Sequence, residues 1–410
     1  MIRSVLNTGE QHRLLRNLTA AVALVALVLA VGRGTGTAAA QTDISSCGPI
    51  ISSSGAFEIT QDIDAPNSQF SNCVDVAADD VVIDGNGISI NGTGTGVNVQ
   101  PLIPSSVSNV TVKDLTITNY ETGVSFNGTE DVTLLNVNVS STNTSVSVKD
   151  STDVTVERVR VENTDVGIKA NESTNVTVRD SAVASFFLAD IPDSILPDLP
   201  PDLIDDPIDD PIQPISTTSN GGKELGIALE NTGESVIQDN FVSGFDDSGI
   251  DVVARDTSGG IPTLSNGLSN EIAGNNVINS GRGISVFAED FDNTIPGPGI
   301  TQVADASSNV TNNDLMGNDV GISVQLSSGD LQPFSNGGLS SRIAENDVKD
   351  SRNGILIGGL SGDEVSNNTV INSTDDGILL EGSDDNELKD NFVNDSGRYG
   401  IWLAGGSGSN

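Results

Sequence analysis

The sequence is nearly devoid of histidine, methionine and cysteine. Its one histidine, His12, lies near the N-terminus, and two methionines and two cysteines complete the set in 410 residues. Histidine is the commonest general base and metal ligand near neutral pH. Because the chain beyond residue 40 has no imidazole, a catalytic or metal site built around histidine is excluded there.

Basic residues are also few. Lys and Arg total 18 against 57 Asp and Glu, and without residues 1–40 the counts become 14 and 56, a formal charge of −42. Binding to phosphates needs clustered Lys and Arg, so this balance argues against a nucleic-acid partner. Repulsion among the excess carboxylates destabilises a compact state in dilute buffer. Molar salt shortens the Debye length to about 3 Å and so screens most of this repulsion. The acidity therefore predicts adaptation to a salty solvent.

Long apolar runs are missing except near the N-terminus. The run Leu18–Val31 follows three arginines and precedes the small residues Ala38–Ala40. That order is typical of an export signal, and the run is short for a membrane span. We predict that residues 1–40 are a signal peptide and that the mature chain is secreted or held at the cell surface, with no integral span. A retained N-terminal anchor is the alternative.

Cys47 and Cys73 are the two cysteines of the predicted mature chain. A pair of cysteines in an exported protein favours a disulfide, although a reactive thiol pair is the alternative. Closing this loop stabilises the fold by roughly 3 kcal/mol in the chain-entropy description. Residues 41–77 are accordingly predicted to form a disulfide-stapled N-terminal cap.

What the sequence has in abundance is an internal repeat, marked by a glycine followed by Ile or Val. Successive copies lie 22 or 23 residues apart in the regular stretches, and the gaps of 33, 34 and 38 residues fit loops inserted into single repeats. Ser145 takes the place of one glycine. The glycines are Gly123, Gly167, Gly226, Gly249, Gly283, Gly321, Gly354, Gly377 and Gly400.

Each repeat reads as three short strands, as in GVSF, DVTLL and NVNVS between Gly123 and Ser140. Alternation of apolar and polar residues over such short lengths predicts strands. Three strands per 22–23 residues predict an all-β parallel β-helix over residues 78–410, with coils about 4.8 Å apart. The Pro- and Asp-rich segment 187–222 is predicted to be an inserted loop. The Ile, Val and Leu side chains of each repeat should stack in the lumen, among them Ile355, Ile378 and Ile401.

An asparagine recurs seven to nine residues before the next Gly-Ile pair. Asparagine tolerates the left-handed conformation of a sharp corner, and stacked copies can form an amide ladder. We therefore predict a structural role at one corner for Asn240, Asn276, Asn313, Asn346, Asn368 and Asn391.

The segment ADDVVIDGNGISING, from Ala78 to Gly92, together with the repeated Asn and Gly-Ile pattern, resembles proteins of the NosD and pectin-lyase-like class. The resemblance covers about residues 47–410, and the acidic balance is similar to that of haloarchaeal secreted members. It implies a right-handed, single-stranded parallel β-helix. It also implies two known activities, copper supply of the NosD type and cleavage of acidic polysaccharide. Copper sites favour Cys, Met and His, so the composition disfavours a copper accessory role.

A column of charge is the first candidate site. Asp319, Arg352, Asp375 and Arg398 each lie two residues before a repeat glycine, so aligned coils would stack them. In the polysaccharide lyases that the chain resembles, Asp-bound calcium and a basic residue cleave the substrate, which makes these four residues catalytic candidates. Arginine is a reluctant base, so an ion-pair ladder between coils is the favoured interpretation.

Pairs of acidic residues in turns are the second candidate site. Adjacent carboxylates can bind calcium, so a Ca²⁺ cofactor is predicted only as a weak alternative to no cofactor. The residues concerned are Asp375, Asp376, Asp384 and Asp385.

An apolar stripe is the third candidate site. Leu356, Leu379 and Trp402 occupy the outward position after successive Gly-Ile pairs, and Tyr399 lies beside them. Aromatic faces stack on sugars and apolar stripes mark interfaces. The stripe therefore predicts either sugar binding or contact with a further C-terminal segment that covers the open end of the coil.

These observations predict a secreted or cell-surface β-helix that presents a binding wall to polysaccharide or cell-envelope material. A polysaccharide lyase or glycoside hydrolase of the same fold is the first alternative, and a NosD-like copper accessory protein is the second.

The salt adaptation is directly testable. In molar KCl the circular dichroism spectrum should be that of a β protein, and it should decay as the salt is dialysed away, because carboxylate repulsion is then unscreened. A β spectrum unchanged in dilute buffer would contradict this interpretation.

Overall fold

The computed structural model describes residues 42–66, 69–102, 105–186, 224–254, 269–289, 307–327, 341–359 and 362–405. The predicted signal peptide, residues 1–40, and the predicted loop, residues 187–222, lie outside these ranges. All regular structure in the described part is β, and no helix there is long and apolar enough to cross a membrane.

The described chain contains 33 strands, and every pairing between them is parallel. In chain order they are β1 (Thr42–Ile44), β2 (Ile50–Ile51), β3 (Gly55–Ile59), β4 (Ile63–Ala65), β5 (Asn72–Val76), β6 (Val81–Gly92), β7 (Thr95–Val99), β8 (Val107–Thr118), β9 (Thr122–Asn127), β10 (Thr129–Lys149), β11 (Thr152–Glu157), β12 (Arg160–Asn171), β13 (Thr174–Arg179), β14 (Ala182–Ala184), β15 (Leu225–Glu230), β16 (Ser235–Gln238), β17 (Phe241–Ser243), β18 (Ser248–Ala254), β19 (Ser269–Ala273), β20 (Asn276–Ile278), β21 (Arg282–Glu289), β22 (Ser307–Thr311), β23 (Asp314–Met316), β24 (Val320–Ser327), β25 (Arg342–Ala344), β26 (Asp347–Lys349), β27 (Asn353–Gly358), β28 (Glu364–Ser366), β29 (Thr369–Ile371), β30 (Asp376–Glu381), β31 (Glu387–Lys389), β32 (Phe392–Asn394) and β33 (Tyr399–Ala404).

One coil consists of three strands. From β15 to β30 each strand pairs with the third strand after it, so β27 pairs with β30, β28 with β31 and β29 with β32. We call the three stacks face 1 (β27, β30 and the strands above and below them), face 2 (β28, β31) and face 3 (β29, β32). In the N-terminal coils the long strands β8, β10 and β12 run round corners from one face to the next. The predicted all-β, right-handed parallel β-helix is confirmed.

The lumen is filled by the apolar residues that follow the repeat glycines. Ile355 lies opposite Ile378, which lies opposite Ile401, so the predicted single file is present. Ile355 and Ile378 are fully buried, whereas Ile401 and Leu403 are 49% and 48% exposed because no described coil stacks on them. Burial of Val and Ile along such a file is the main stabilising contribution to the solenoid.

Residues 42–76 contribute five strands to the same parallel sheet, so coil geometry begins ahead of residue 78. A disulfide joins Cys47 to Cys73, as predicted, and the backbone N–H of Gly48 donates to the carbonyl of Cys73 at 2.7 Å. The hydroxyl of Tyr120 lies 3.8 Å from the sulfur of Cys47, and burial raises the pKa of that hydroxyl to about 12.

Asparagines form a ladder at the corner between faces 2 and 3, buried except at its last rung, Asn391. Each backbone N–H donates to the side-chain oxygen of the next rung at 2.9–3.1 Å. The side-chain amide of Asn346 also donates to the carbonyl of Val310 at 2.9 Å, so the rung satisfies backbone groups of its neighbours. The rungs are Asn240, Asn275, Asn313, Asn346, Asn368 and Asn391.

Two details of the predicted corner are corrected by this ladder. The prediction of Asn276 is wrong, because Asn275 is the rung and Asn276 begins strand β20. The left-handed conformation belongs to the residue before each rung rather than to the rung itself, as at Glu345 (φ 60°) and Asn367 (φ 55°). The rung's task is therefore to accept and donate hydrogen bonds.

Asp363 occupies a rung of a second ladder, at the corner between faces 1 and 2. The N–H of Ser341 donates to Oδ1 of Asp363 at 2.7 Å, and the N–H of Asp363 donates to the side-chain oxygen of Asn386 at 2.9 Å. The side chain is buried, and its Oδ2 has no hydrogen-bond partner among the described residues. Burial raises the pKa of this carboxyl from 3.8 to about 6, although the hydrogen bond from Ser341 opposes the shift.

Replacing this carboxyl by an amide should stabilise the protein above pH 6. The pKa of Asp363 is about 6 in the folded state, against the ordinary value of 3.8 for a free carboxyl. The neutral acid therefore makes its full contribution to stability below about pH 4, and this contribution is lost as the pH rises through about 6. We expect Asp363→Asn to raise the free energy of unfolding at pH 7.5 by roughly 2–3 kcal/mol, and to flatten its change between pH 4 and 7. Denaturant titrations over this pH range measure both. Asp131→Asn, at an exposed corner, is the control that should change neither.

Candidate functional site

The charged column predicted from the spacing is present at the corner between faces 3 and 1. The N–H of Asp375 donates to the carbonyl of Arg352 at 2.8 Å, and the N–H of Arg398 donates to that of Asp375 at 2.9 Å. The carbonyl of Asp319 accepts from Asn353 in the next coil at 3.1 Å. Backbone pairing therefore holds the four side chains one above another.

Both arginines in the column are engaged by carboxylates. Arg352 makes a bidentate contact with Asp319, with Nε–Oδ1 at 2.7 Å and Nη2–Oδ2 at 2.9 Å. Arg398 contacts Asp375 at 3.0 Å and also binds both side-chain oxygens of Asp376. These hydrogen bonds, and then the carboxylate charges, raise the pKa of each guanidinium further above its already high value. The column holds its arginines protonated, which is the property of an ion-pair ladder and the opposite of what a base needs.

The apolar stripe is present on face 1, where Leu356 lies opposite Leu379 and Leu379 lies opposite Trp402. The guanidinium of Arg398 lies 4.2 Å from the centre of the Trp402 ring and 5.5 Å from that of Tyr399. The two ring centres are 5.4 Å apart. One face of the indole is thus taken by a cation–π contact, and Tyr399 is the more exposed aromatic surface.

The acidic pairs are used differently from one another. Asp375 and Asp376 are both bound to Arg398, and Asp376 is fully buried. Asp384 and Asp385 lie in the turn before β31, where Asp385 has a left-handed backbone. In the described ranges no three His, Cys, Asp or Glu side chains are grouped so that they could hold a metal ion. Calcium binding by these four residues stays a prediction.

A pocket near the N-terminal end is a feature that the sequence reasoning missed. In β6 the register shifts between Asp84 and Ile88, so that Gly85–Gly87 stand opposite the single residue Asp114 of β8. The extra residues leave an open pocket of about 400 Å³ across three coils. Its lining residues are Asp84, Asn86, Gly87, Asp114, Leu115, Thr116, Asn136 and Asn138. The only sequence signal is the insertion GNG within VVIDGNGISI.

The charges beside this pocket are balanced locally by Lys113. Its ammonium contacts Asp84 and lies 3.0 Å from Oδ2 of Asp114, and Asn136 donates to Oδ1 of Asp114 at 2.6 Å. Burial works against the charge on both Lys113 and Asp114. The hydrogen bonds outweigh it, so the pKa of Lys113 is raised and that of Asp114 is lowered. Lys113 and Asp114 are therefore both held in their charged forms at neutral pH.

The coils on which these sites lie match a protein family. The family described as "Periplasmic copper-binding protein (NosD)" matches residues 67–187 and 296–410, more than half of the chain. The chain belongs to the NosD family. No curated protein matches it.

The solved structures that are similar to this NosD chain have low sequence identity to it. The surface adhesin PfbA of Streptococcus pneumoniae is 10% identical with a TM-score of 0.51, over 85% of this chain and 84% of that one. A mutant of the periplasmic alginate epimerase AlgG is 10% identical with a TM-score of 0.49, over 80% and 77%. A DFA-IIIase mutant from Arthrobacter chlorophenolicus A6 is 12% identical with a TM-score of 0.42, over 81% and 71%. At such identity the likeness to PfbA shows the fold alone.

The residues of this NosD chain do not fit the copper of the family description. Both cysteines are consumed in the Cys47–Cys73 disulfide, so neither offers a thiolate. Met316 lies on face 3 between Ile278 and Lys349, with no second soft ligand beside it in the stack. The sequence beyond residue 40 has no other methionine and no histidine. The family description and the disulfide do support a location outside the cytoplasm.

The two arginines of the column should differ in their effect on stability. Arg398→Gln leaves the carboxylate of Asp376 buried without its cation, whereas the partner of Arg352 is Asp319, which is 55% exposed. We expect Arg398→Gln to lower the melting temperature clearly and Arg352→Gln to change it little. Thermal unfolding followed by circular dichroism in molar KCl measures both. Equal shifts would show that the buried Asp376 does not depend on Arg398.

Proposed function

We propose that this NosD-family chain is an exported or surface-held binding wall for polysaccharide or cell-envelope material, and that it retains such material without cleaving it. The observation that carries the proposal is a straight polar column on face 2. Thr111, Thr133, Thr155 and Thr177 lie opposite one another in consecutive coils, and all four side chains are partly exposed.

Such a surface suits a polymer with a repeating unit. Hydroxyl groups both donate and accept hydrogen bonds, as the hydroxyls of a sugar do. Strands held by pairing on both sides keep these groups in fixed positions, so little conformational entropy is lost on binding. The likeness to PfbA, a surface adhesin, agrees with a binding role but concerns the fold only.

A polysaccharide lyase or glycoside hydrolase is the second candidate function. It is favoured by the stacked carboxylates and arginines at Asp319, Arg352, Asp375 and Arg398, and opposed by the paired state of both guanidiniums. A lyase needs a group that accepts a proton from the sugar ring. A NosD-like copper role is not proposed, because beyond residue 40 the chain has no histidine, one methionine and two cysteines joined in a disulfide. Calcium is proposed only together with the enzymatic alternative.

Retention without turnover is the expected behaviour. We expect the mature chain to be retarded in affinity electrophoresis through gels that contain polysaccharide, in molar KCl, and to release no unsaturated or reducing-end products. Thr133→Val combined with Thr155→Val should weaken the retardation, because two hydroxyls of the column are lost. Asn143→Ala, at an exposed corner, is the matched control.

Two results would contradict the proposal. Product release that disappears in Arg352→Gln would establish the enzymatic alternative. Migration unaffected by any neutral or acidic polysaccharide would remove the binding role altogether.

A further inference from the structure

We infer that the pocket between Asp84 and Asn138 is a subsite for a neutral, hydroxyl-rich sugar unit, and that it excludes uronates. The inference rests on the proposed function, and it specifies where on the chain a ligand binds and which class of sugar it is.

The pocket is built by the fold rather than left by loose packing. Its volume of about 400 Å³ is within the usual range of ligand sites. A Cβ on Gly85 would lie 2.4 Å from the carbonyl oxygen of Asp114 and 2.7 Å from Cα of Leu115, so the bulge is packed tightly at its base. Gly87 has a left-handed φ of 74°, and a Cβ there would meet nothing within 4 Å. The rim at Gly87 is therefore open backbone that a ligand can approach.

The lining chemistry matches hydroxyl groups. Amides of Asn86, Asn136 and Asn138 and the hydroxyl of Thr116 present donors and acceptors side by side. Thr116 and Asn138 lie opposite each other in successive coils of face 3, so their polar groups are one coil spacing apart. No lining side chain is an exposed hydrocarbon, because Leu115 is buried in the lumen. Hydrogen bonds are therefore the specific contacts that the lining offers a ligand.

The lining groups are held in place before any ligand arrives. The backbone N–H of Asn86 donates to Oδ1 of Asp84 at 3.0 Å, and its amide donates to Glu58. Asn136 is fixed by its hydrogen bond to Asp114. Such preorganisation reduces the entropy that binding would otherwise cost.

The charged groups in and beside the pocket favour neutral sugars over acidic ones. Two lining carboxylates, Asp84 and Asp114, share the single ammonium of Lys113. In the next coils Arg158 lies 3.5 Å from Glu157, and Arg160 lies 2.6 Å from Glu162. Arg160 lies opposite Asn138 in the next coil, and both arginines already contact a carboxylate. A uronate carboxylate in the pocket would lie in direct contact with the lining carboxylates, a distance at which even molar salt screens their repulsion only in part. It would also lack a cation of its own, so the pocket excludes it.

The same ammonium argues against a metal ion in this pocket. Lys113 occupies the position between Asp84 and Asp114 where a bound cation would have to lie. A divalent ion would have to displace it and then leave the ammonium facing that ion. A neutral sugar requires no such exchange.

The test uses the mature full chain in molar KCl, with cellotetraose and maltotetraose as neutral probes and tetragalacturonate as the acidic probe. Isothermal titration calorimetry and saturation-transfer NMR should detect at least one neutral probe and no tetragalacturonate. Asn138→Ala and Thr116→Val should each weaken neutral binding about tenfold, the effect of losing one good hydrogen bond. Thr369→Val, in the same outward column of face 3 but far along the chain, and Asn143→Ala are the matched controls.

The outcomes separate this inference from the proposed function. Tighter binding of tetragalacturonate, or neutral binding that survives both pocket substitutions in folded protein, would overturn the pocket assignment. Retention of polysaccharide in the gel assay would leave the binding wall standing in that case. If neither assay detects any glycan, the pocket and the binding wall are both rejected.

Discussion

In-register parallel pairing between successive coils is the constraint on which the whole molecule depends. Backbone groups of each strand are satisfied only by the coils before and after it, so every coil must turn three corners and return to the same register. The corners achieve this with two neighbouring residues. One, such as Glu345 or Asn367, adopts the left-handed conformation, and the next, such as Asn346 or Asn368, is a buried rung that takes up the N–H of the preceding coil. Extra residues are tolerated at corners because they leave this pairing intact.

The fold could be predicted from the sequence because in-register coils require the same residue types to recur at a regular spacing. The Gly-Ile spacing identifies the residues of the lumen, and Ile355, Ile378 and Ile401 are in single file. Where two asparagines are adjacent, spacing cannot decide between them, and the rung is Asn275 rather than Asn276 because hydrogen bonding selects it. The pocket escaped prediction because it depends on a mismatch between two coils, three residues opposite Asp114, which no single repeat reveals.

The same pairing determines what the charged residues can do. Stacking places Asp319, Arg352, Asp375 and Arg398 in one column, and opposite charges at that spacing neutralise one another. Arg398 is held further by the buried Asp376 and by two aromatic rings. These ion pairs favour the ladder interpretation of the column, in which alternating charges separate like charges in a strongly acidic solenoid. The catalytic interpretation would require these pairs to open when a substrate binds.

Family membership and chemistry lead to different expectations for this chain, and the residues decide between them. The NosD description names copper, but with both cysteines in a disulfide Met316 is the one soft side chain left beyond residue 40, which is too few to bind it. What the coils do preserve is a regular exterior of short hydroxyl, amide and carboxylate side chains on a rigid sheet. Because a solenoid can vary its outward residues without altering its lumen, metal binding can be lost or gained while the architecture persists. The proposed binding wall relies on this exterior, and the acidic surface is the reason for proposing a neutral ligand.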